Sequence, residues 1–98
     1  MKVTVTAVHF AMQDSLESFV EQKVEKLCSK YSEVIGAEAV LKLGYAETGE
    51  NKTANIRIDL KGSDLYAEKT ASTFEEAVDL SVDALKKQLE KYKGKLRG

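Results

Sequence analysis

Apolar residues recur along this chain with two different periods, and the switches between them mark six elements. From 2 to 9, Val3, Val5 and Ala7 alternate with Lys2, Thr4 and Thr6, a β-branched run that predicts a first strand. Leu16, Phe19, Val20, Val24, Leu27, Cys28 and Tyr31 then trace one face of a helix that should end before Gly36. Asp14 is its expected N-cap, with Glu17 three residues on completing a capping-box pattern. A second strand is predicted over 39–45, with Leu41 and Leu43 on one face, followed by a polar hairpin loop over 46–52. Residues 53–61 alternate most cleanly: Ala54, Ile56, Ile58 and Leu60 inward, Asn55, Arg57, Asp59 and Lys61 outward. Gly62, Ser63 and Asp64 predict a tight turn, and 65–70 a fourth strand. Over 73–97, Phe74, Val78, Leu85, Leu89 and Tyr92 return to helical spacing, flanked by Ser81 and Val82, with Ser72 or Thr73 as the cap.

The order β-α-β-β-β-α predicts an α+β fold. A four-stranded sheet with one polar face and two helices packed on the other is the simplest way to bury both helical stripes. The first strand–helix–strand unit is a crossover, so those two strands should be parallel, while the later connections are hairpins. Ninety-eight residues suffice for one such domain with a single core. No apolar run approaches the length of a membrane span, and a lone cysteine, Cys28, cannot form an internal disulfide. A cytoplasmic protein with no membrane partner is the expectation.

Charge changes the picture only when it is mapped. The formal net charge is −1, but residues 86–98 carry six bases and one acid while residues 1–85 carry nine bases and fifteen acids. Glu75, Glu76, Asp79 and Asp83 fill the first half of the last helix; Lys86, Lys87, Lys91, Lys93, Lys95 and Arg97 fill the second. The helix dipole favours that order but saturates within a turn, so it accounts for two or three of the bases. The rest fit a polyanionic partner better than a merely solvated end. Asp79 lies about 18 Å along the axis from Lys91. That exceeds a Debye length of about 8 Å, so the acids should barely dilute the basic end. On the first helix, Glu17, Glu21 and Glu25 flank the apolar stripe on one side, and Lys23, Lys26 and Lys30 on the other. The two basic edges merge into one groove only if Lys23, Lys26 and Lys30 point toward Lys87 and Lys91.

No catalytic constellation emerges, and neither a metal nor a cofactor is expected. His9 is the only histidine, Cys28 lies on an apolar stripe, Glu75, Glu76 and Asp79 read as a solvated first turn, and the glycines form no phosphate-binding loop. Tyr92 shares the core stripe of its helix, whereas Tyr66 falls on the open sheet face, where an aromatic can stack on a base. The lysines remain the stronger candidates.

These residues resemble the ribosome hibernation promoting factors, also called ribosome-associated translation inhibitors or protein Y. The likeness runs from Val3 to Leu96. It shows in residues 23–27 (KVEKL), in 54–58 (ANIRI) with Leu60 and Gly62, and in 65–67 (LYA). Most specific is 83–93, DALKKQLEKYK, like the family's basic signature on its last helix. The resemblance implies a fold similar to double-stranded-RNA-binding domains. It also implies a non-enzymatic, monomeric protein that binds small-subunit ribosomal RNA near the decoding centre. There it would exclude mRNA, transfer RNA and initiation factors, keeping idle ribosomes intact but silent. Lys23, Lys26, Lys87, Lys91, Lys93 and Lys95 match family contact positions. Lys30, Lys86 and Arg97 are added by the charge pattern alone. Ala84 stands where the family commonly has lysine, and Glu75 where it commonly has tyrosine. The length corresponds to a short form without the C-terminal dimerisation domain. The competing reading is a protein–protein interaction module that uses the segregated acidic and basic flanks.

Overall fold

The computed structural model describes residues 2–44 and 51–97, with side chains through residue 94. Its elements are β1 (Lys2–Val8), α1 (Asp14–Cys28), β2 (Val34–Leu43), β3 (Lys52–Leu60), β4 (Ser63–Ala71) and α2 (Phe74–Arg97). They form one sheet in the order β1-β2-β3-β4, parallel between β1 and β2 and antiparallel elsewhere. The α+β architecture and the parallel crossover are as the sequence predicts.

Register explains how one face closes. Val5 pairs with Ala39, Ala39 with Ile56 and Ile56 with Ala67, so one apolar row crosses all four strands; Val3, Ala37, Ile58 and Leu65 form the next. The small alanines in these rows leave room for the larger helix side chains Val20, Val24, Leu27, Val78, Leu85 and Leu89 in the same core. α2 packs over β3 and β4, α1 over β1 and β2, and the two helices touch. Ser81 is the one buried polar residue among those described, and its hydroxyl donates to the Ala54 carbonyl of β3 at 3.0 Å. An unmet hydroxyl there would cost about 1–3 kcal/mol. Phe10, in the β1–α1 connection, stacks on Phe74 at 4.5 Å between centroids, tying that connection to the start of α2. His9 opens the connection in the left-handed region, at φ 68°.

Several element ends differ from the sequence-based expectation. The N-cap of α1 is Gln13, not Asp14, and it caps through its carbonyl, which accepts from the Leu16 and Glu17 amides at 3.1 Å. Asp14 and Glu17 lie in the first turn, where their charge complements the dipole. α1 stops at Cys28 because Ser29 closes the last turn through its amide to Glu25 and its hydroxyl to the Lys26 carbonyl. Tyr31 therefore lies beyond the helix, though it still packs against the core.

β2 begins at Val34, five residues before the predicted start, and Gly36 is inside it. A Cβ at Gly36 would lie 3.1 Å from the Lys2 carbonyl, a contact so tight that the strand partner would have to give by a few tenths of an ångström to take a side chain. The loop predicted over 46–52 lies outside the described residues up to 50; Lys52 already pairs with Leu43, and the Gly44 amide reaches the Asn51 carbonyl at 2.8 Å. The β3–β4 turn is shorter than predicted. Ser63 and Asp64 are already paired, and Gly62 supplies the left-handed φ of 82°.

α2 keeps its predicted start. The Thr73 hydroxyl accepts from the Glu76 amide at 3.1 Å, so Thr73 rather than Ser72 is the cap.

Candidate nucleic-acid interface

α1 and α2 run in the same direction, because their contacts advance together. Lys23 meets Asp79, Lys30 shares a groove with Lys86, and Lys93 reaches Tyr31. Two parallel helices that are each acidic early and basic late bring like with like. The basic halves come together at the C-terminal ends of both dipoles, where cations are favoured.

The seam between them is a chain of adjoining concavities. A hollow on α1 lined by Phe19, Gln22, Lys23 and Lys26 opens onto it; Lys23, Lys26, Leu27, Lys30, Val82, Asp83 and Lys86 line a central groove of about 220 Å³ between the helices. Lys30, Tyr31, Glu90, Lys93 and Gly94 line the last, about 350 Å³. Leu27 and Val82 form an apolar floor, and the lysines rise from both walls, so their aliphatic stems pack while their ammonium groups reach water. The Lys23 ammonium lies 5.6 Å from the Phe19 ring centre, and that of Lys93 lies 5.7 Å from Tyr31. Each such contact is worth about 0.5–1 kcal/mol where exposed, enough to bias a lysine toward the seam.

Lys23 and Lys26 of α1, and Lys30 just beyond its end, line the groove as required, but their counterparts on α2 differ from expectation. Lys86 lines the central groove and Lys93 its far end, whereas Lys87 lies on the outer ridge with Asp83, Lys86 and Glu90. Lys91 turns to the other side of α2, beside Ser63, Leu65, Gln88 and Tyr92. The cause is helical phase: adjacent positions differ by about 100° around the axis. Val82, four residues before Lys86, carried the signal, since it marks the side of α2 that is apolar toward α1. The backbone of α2 includes Lys95 and Arg97; their side chains lie outside the described residues.

Asp79 also departs from its expected role as a distant bystander. Its carboxylate pairs with Lys23 at 3.2 Å, both side chains half-exposed, so the seam is electrically muted at that end. Among the described residues, no ion pair involves Lys26, Lys30, Lys86, Lys87, Lys91 or Lys93.

The other sequence candidates have quieter settings. Cys28 is buried, and burial pushes its thiol up to about 11, which leaves it protonated at neutral pH. Among the described residues no group of three or more His, Cys, Asp or Glu could hold a metal ion, and no helix is long and apolar enough to cross a membrane. Tyr66 is exposed on the open sheet face, its hydroxyl accepting from Asn55 Nδ2 at 2.8 Å. Gln88 was not singled out by the sequence. Its side-chain amide donates to the Tyr66 carbonyl at 2.9 Å, covering part of the exposed β4 edge.

A β-α-β-β-β-α domain whose parallel helices converge on a lysine-walled seam defines the class. Within that class the chain belongs to the family described as sigma 54 modulation protein / S30EA ribosomal protein, whose model matches residues 3–97. The resemblance to hibernation promoting factors is thereby borne out. Among solved structures, a ribosomal subunit interface protein from Coxiella burnetii superposes with a TM-score of 0.84 at 21% identity, over 96% of this chain and 99% of that one. The Protein Y N-terminal domain of Thermus thermophilus gives 0.79 at 25% identity, over 94% and 99%.

Proposed function

We propose that this protein is a non-enzymatic ribosome-binding factor of the cytoplasm. It lays the α1–α2 seam on small-subunit ribosomal RNA near the decoding centre and holds ribosomes inactive by occupying the path of mRNA and transfer RNA. The observation that carries the reading is the convergence of Lys23, Lys26, Lys30 and Lys86 on one groove, continued by Lys93, in a chain of net negative charge. Family membership supplies the ribosome as the partner. Lysine ammonium groups on flexible stems suit phosphates, which demand charge rather than fixed geometry. Lys87 takes part from the ridge, Lys91 from the β4 side, and Lys95 and Arg97 extend the same basic helix end. Inhibition then needs no chemistry, since a domain seated in a channel excludes whatever else passes through it.

Cosedimentation with purified small subunits across a salt series tests this. If about six lysines each neutralise one phosphate, log K falls against log salt with a slope of about −4 to −5. A slope shallower than about −1 rejects a phosphate-binding seam. Bound protein should also block recruitment of initiator transfer RNA to mRNA-programmed subunits. Association that survives nuclease treatment and needs no ribosome would point instead to a protein–protein module.

A further inference from the structure

The central groove is not uniformly basic. Lys23, Lys26, Lys30 and Lys86 share its walls with one carboxylate, Asp83. Asp79, one turn earlier, is neutralised by Lys23 at 3.2 Å, whereas among the described residues Asp83 makes neither an ion pair nor a side-chain hydrogen bond. A carboxylate in a surface meant for phosphates repels its own ligand unless the ligand offers it something. An ionised carboxylate only accepts hydrogen bonds, and an ammonium only donates. The DNA backbone carries acceptors alone, in its phosphate and deoxyribose oxygens. The RNA backbone adds one donor per nucleotide, the 2′-hydroxyl. Lysines by themselves grip both backbones alike. Asp83 is satisfied by one and frustrated by the other.

We propose that Asp83 is the specificity-determining residue of this groove, accepting a hydrogen bond from a ribose 2′-hydroxyl while the surrounding lysines hold the flanking phosphates, so that the seam selects RNA over DNA. The inference rests on the reading of the seam as a ribosomal-RNA surface. Its position supports the role: Asp83 is exposed on α2, where it lines both the central groove and the ridge beside Lys86 and Lys87, and among the described residues its carboxylate is held in no ion pair.

The test measures binding of wild type, Asp83→Ala, Asp83→Asn and Asp79→Ala to an RNA duplex of about 16 base pairs and to the DNA duplex of the same sequence, at one salt concentration. Small-subunit cosedimentation is run in parallel. Wild type should favour RNA, and Asp83→Ala should shrink that preference about tenfold, chiefly by tightening DNA binding. Asp83→Asn, which keeps an acceptor, should retain part of the preference. Asp79→Ala should strengthen both ligands by one common factor. Equal gains for RNA and DNA in Asp83→Ala would overturn the proposal, as would a wild type that binds both duplexes alike or neither. Small-subunit binding then separates the two failures. If it persists, the seam reading stands and Asp83 is merely a like charge; if it is absent, the seam reading has failed as well. Thermal melting confirms that each variant is folded.

Discussion

The domain has two polar surfaces, the open face of the sheet and the seam between the helices, and they handle charge in opposite ways. On the sheet, polar groups answer one another. Arg57 pairs with Asp59 at 3.3 Å, the Thr53 and Thr70 hydroxyls meet at 2.8 Å, and Asn55 donates to Tyr66. On the seam, Lys23 is the one lysine in an ion pair among the described residues, and the lysines beyond it face water. A surface that satisfies itself gains little from a partner, because docking would exchange existing contacts for new ones. A surface that holds unpaired charge in place has its interaction energy still to give.

Both surfaces rest on one core, so the largest expected effect removes the contrast altogether. Leu89→Ala or Leu85→Ala, each at a fully buried position of α2, should cost about 2–5 kcal/mol in urea unfolding. Subunit binding should weaken in those variants only as far as the folded fraction falls. Charge reversal separates the surfaces instead. Lys30→Glu with Lys86→Glu should reduce small-subunit binding at least about a hundredfold, with stability unchanged to within about 0.5 kcal/mol. Arg57→Ala on the sheet should change stability by a similar small amount and leave binding intact. Equal loss of binding in the two variants would erase the distinction between the faces.

The pattern of buried residues was legible wherever the strands alternate without interruption. Ala54, Ile56, Ile58 and Leu60 all point inward as their spacing requires. β2 was less legible. Gly36 reads as a stop signal in sequence, whereas here it lies inside the strand, closely faced by the Lys2 carbonyl, and the neighbouring Ile35, exposed by 61%, breaks the alternation. Helical spacing puts Lys23, Lys26 and Lys30 on one flank of a wide, well-marked apolar stripe, and that flank faces the seam although Lys30 lies just past the end of α1. On α2 the choice between Lys86 and Lys87 turned on whether Val82 belongs to the buried edge. That depends on the neighbouring helix, which a single-helix period does not contain. The Lys23–Asp79 pair is longer-ranged still, because it joins residues brought together only by the crossover.

Cys28 gives an effect of intermediate size that reports on the core beneath the seam. Its buried thiol is held near 11 against an ordinary value of 9.0. Below pH 9 the thiol is protonated in both folded and unfolded chains, and its stabilising effect is fully present. As pH rises from 9 toward 11 the unfolded chain loses the proton first, and stability falls by up to about 2 kcal/mol. Cys28→Ala should show a flatter profile across that window, and a small aromatic disulfide reagent should modify the native thiol far more slowly than the unfolded one.

The smallest effect falls at the muted end of the seam and sharpens the contrast between its two ends. Asp79→Ala removes an exposed ion pair worth about 0–1 kcal/mol, so the melting temperature should barely move. Its consequence lies in binding. The contact of Lys23 with the Phe19 ring does not involve Asp79 and favours the same placement, so losing the acid should return a whole positive charge to the groove. The slope of log K against log salt should steepen by about one unit, and affinity for small subunits at low salt should rise. An unchanged slope would mean that Lys23 never meets a phosphate and that the working seam begins at Lys26. The acid–base pair would then serve the parallel packing of the helices, and the interface would be shorter by one turn of α1.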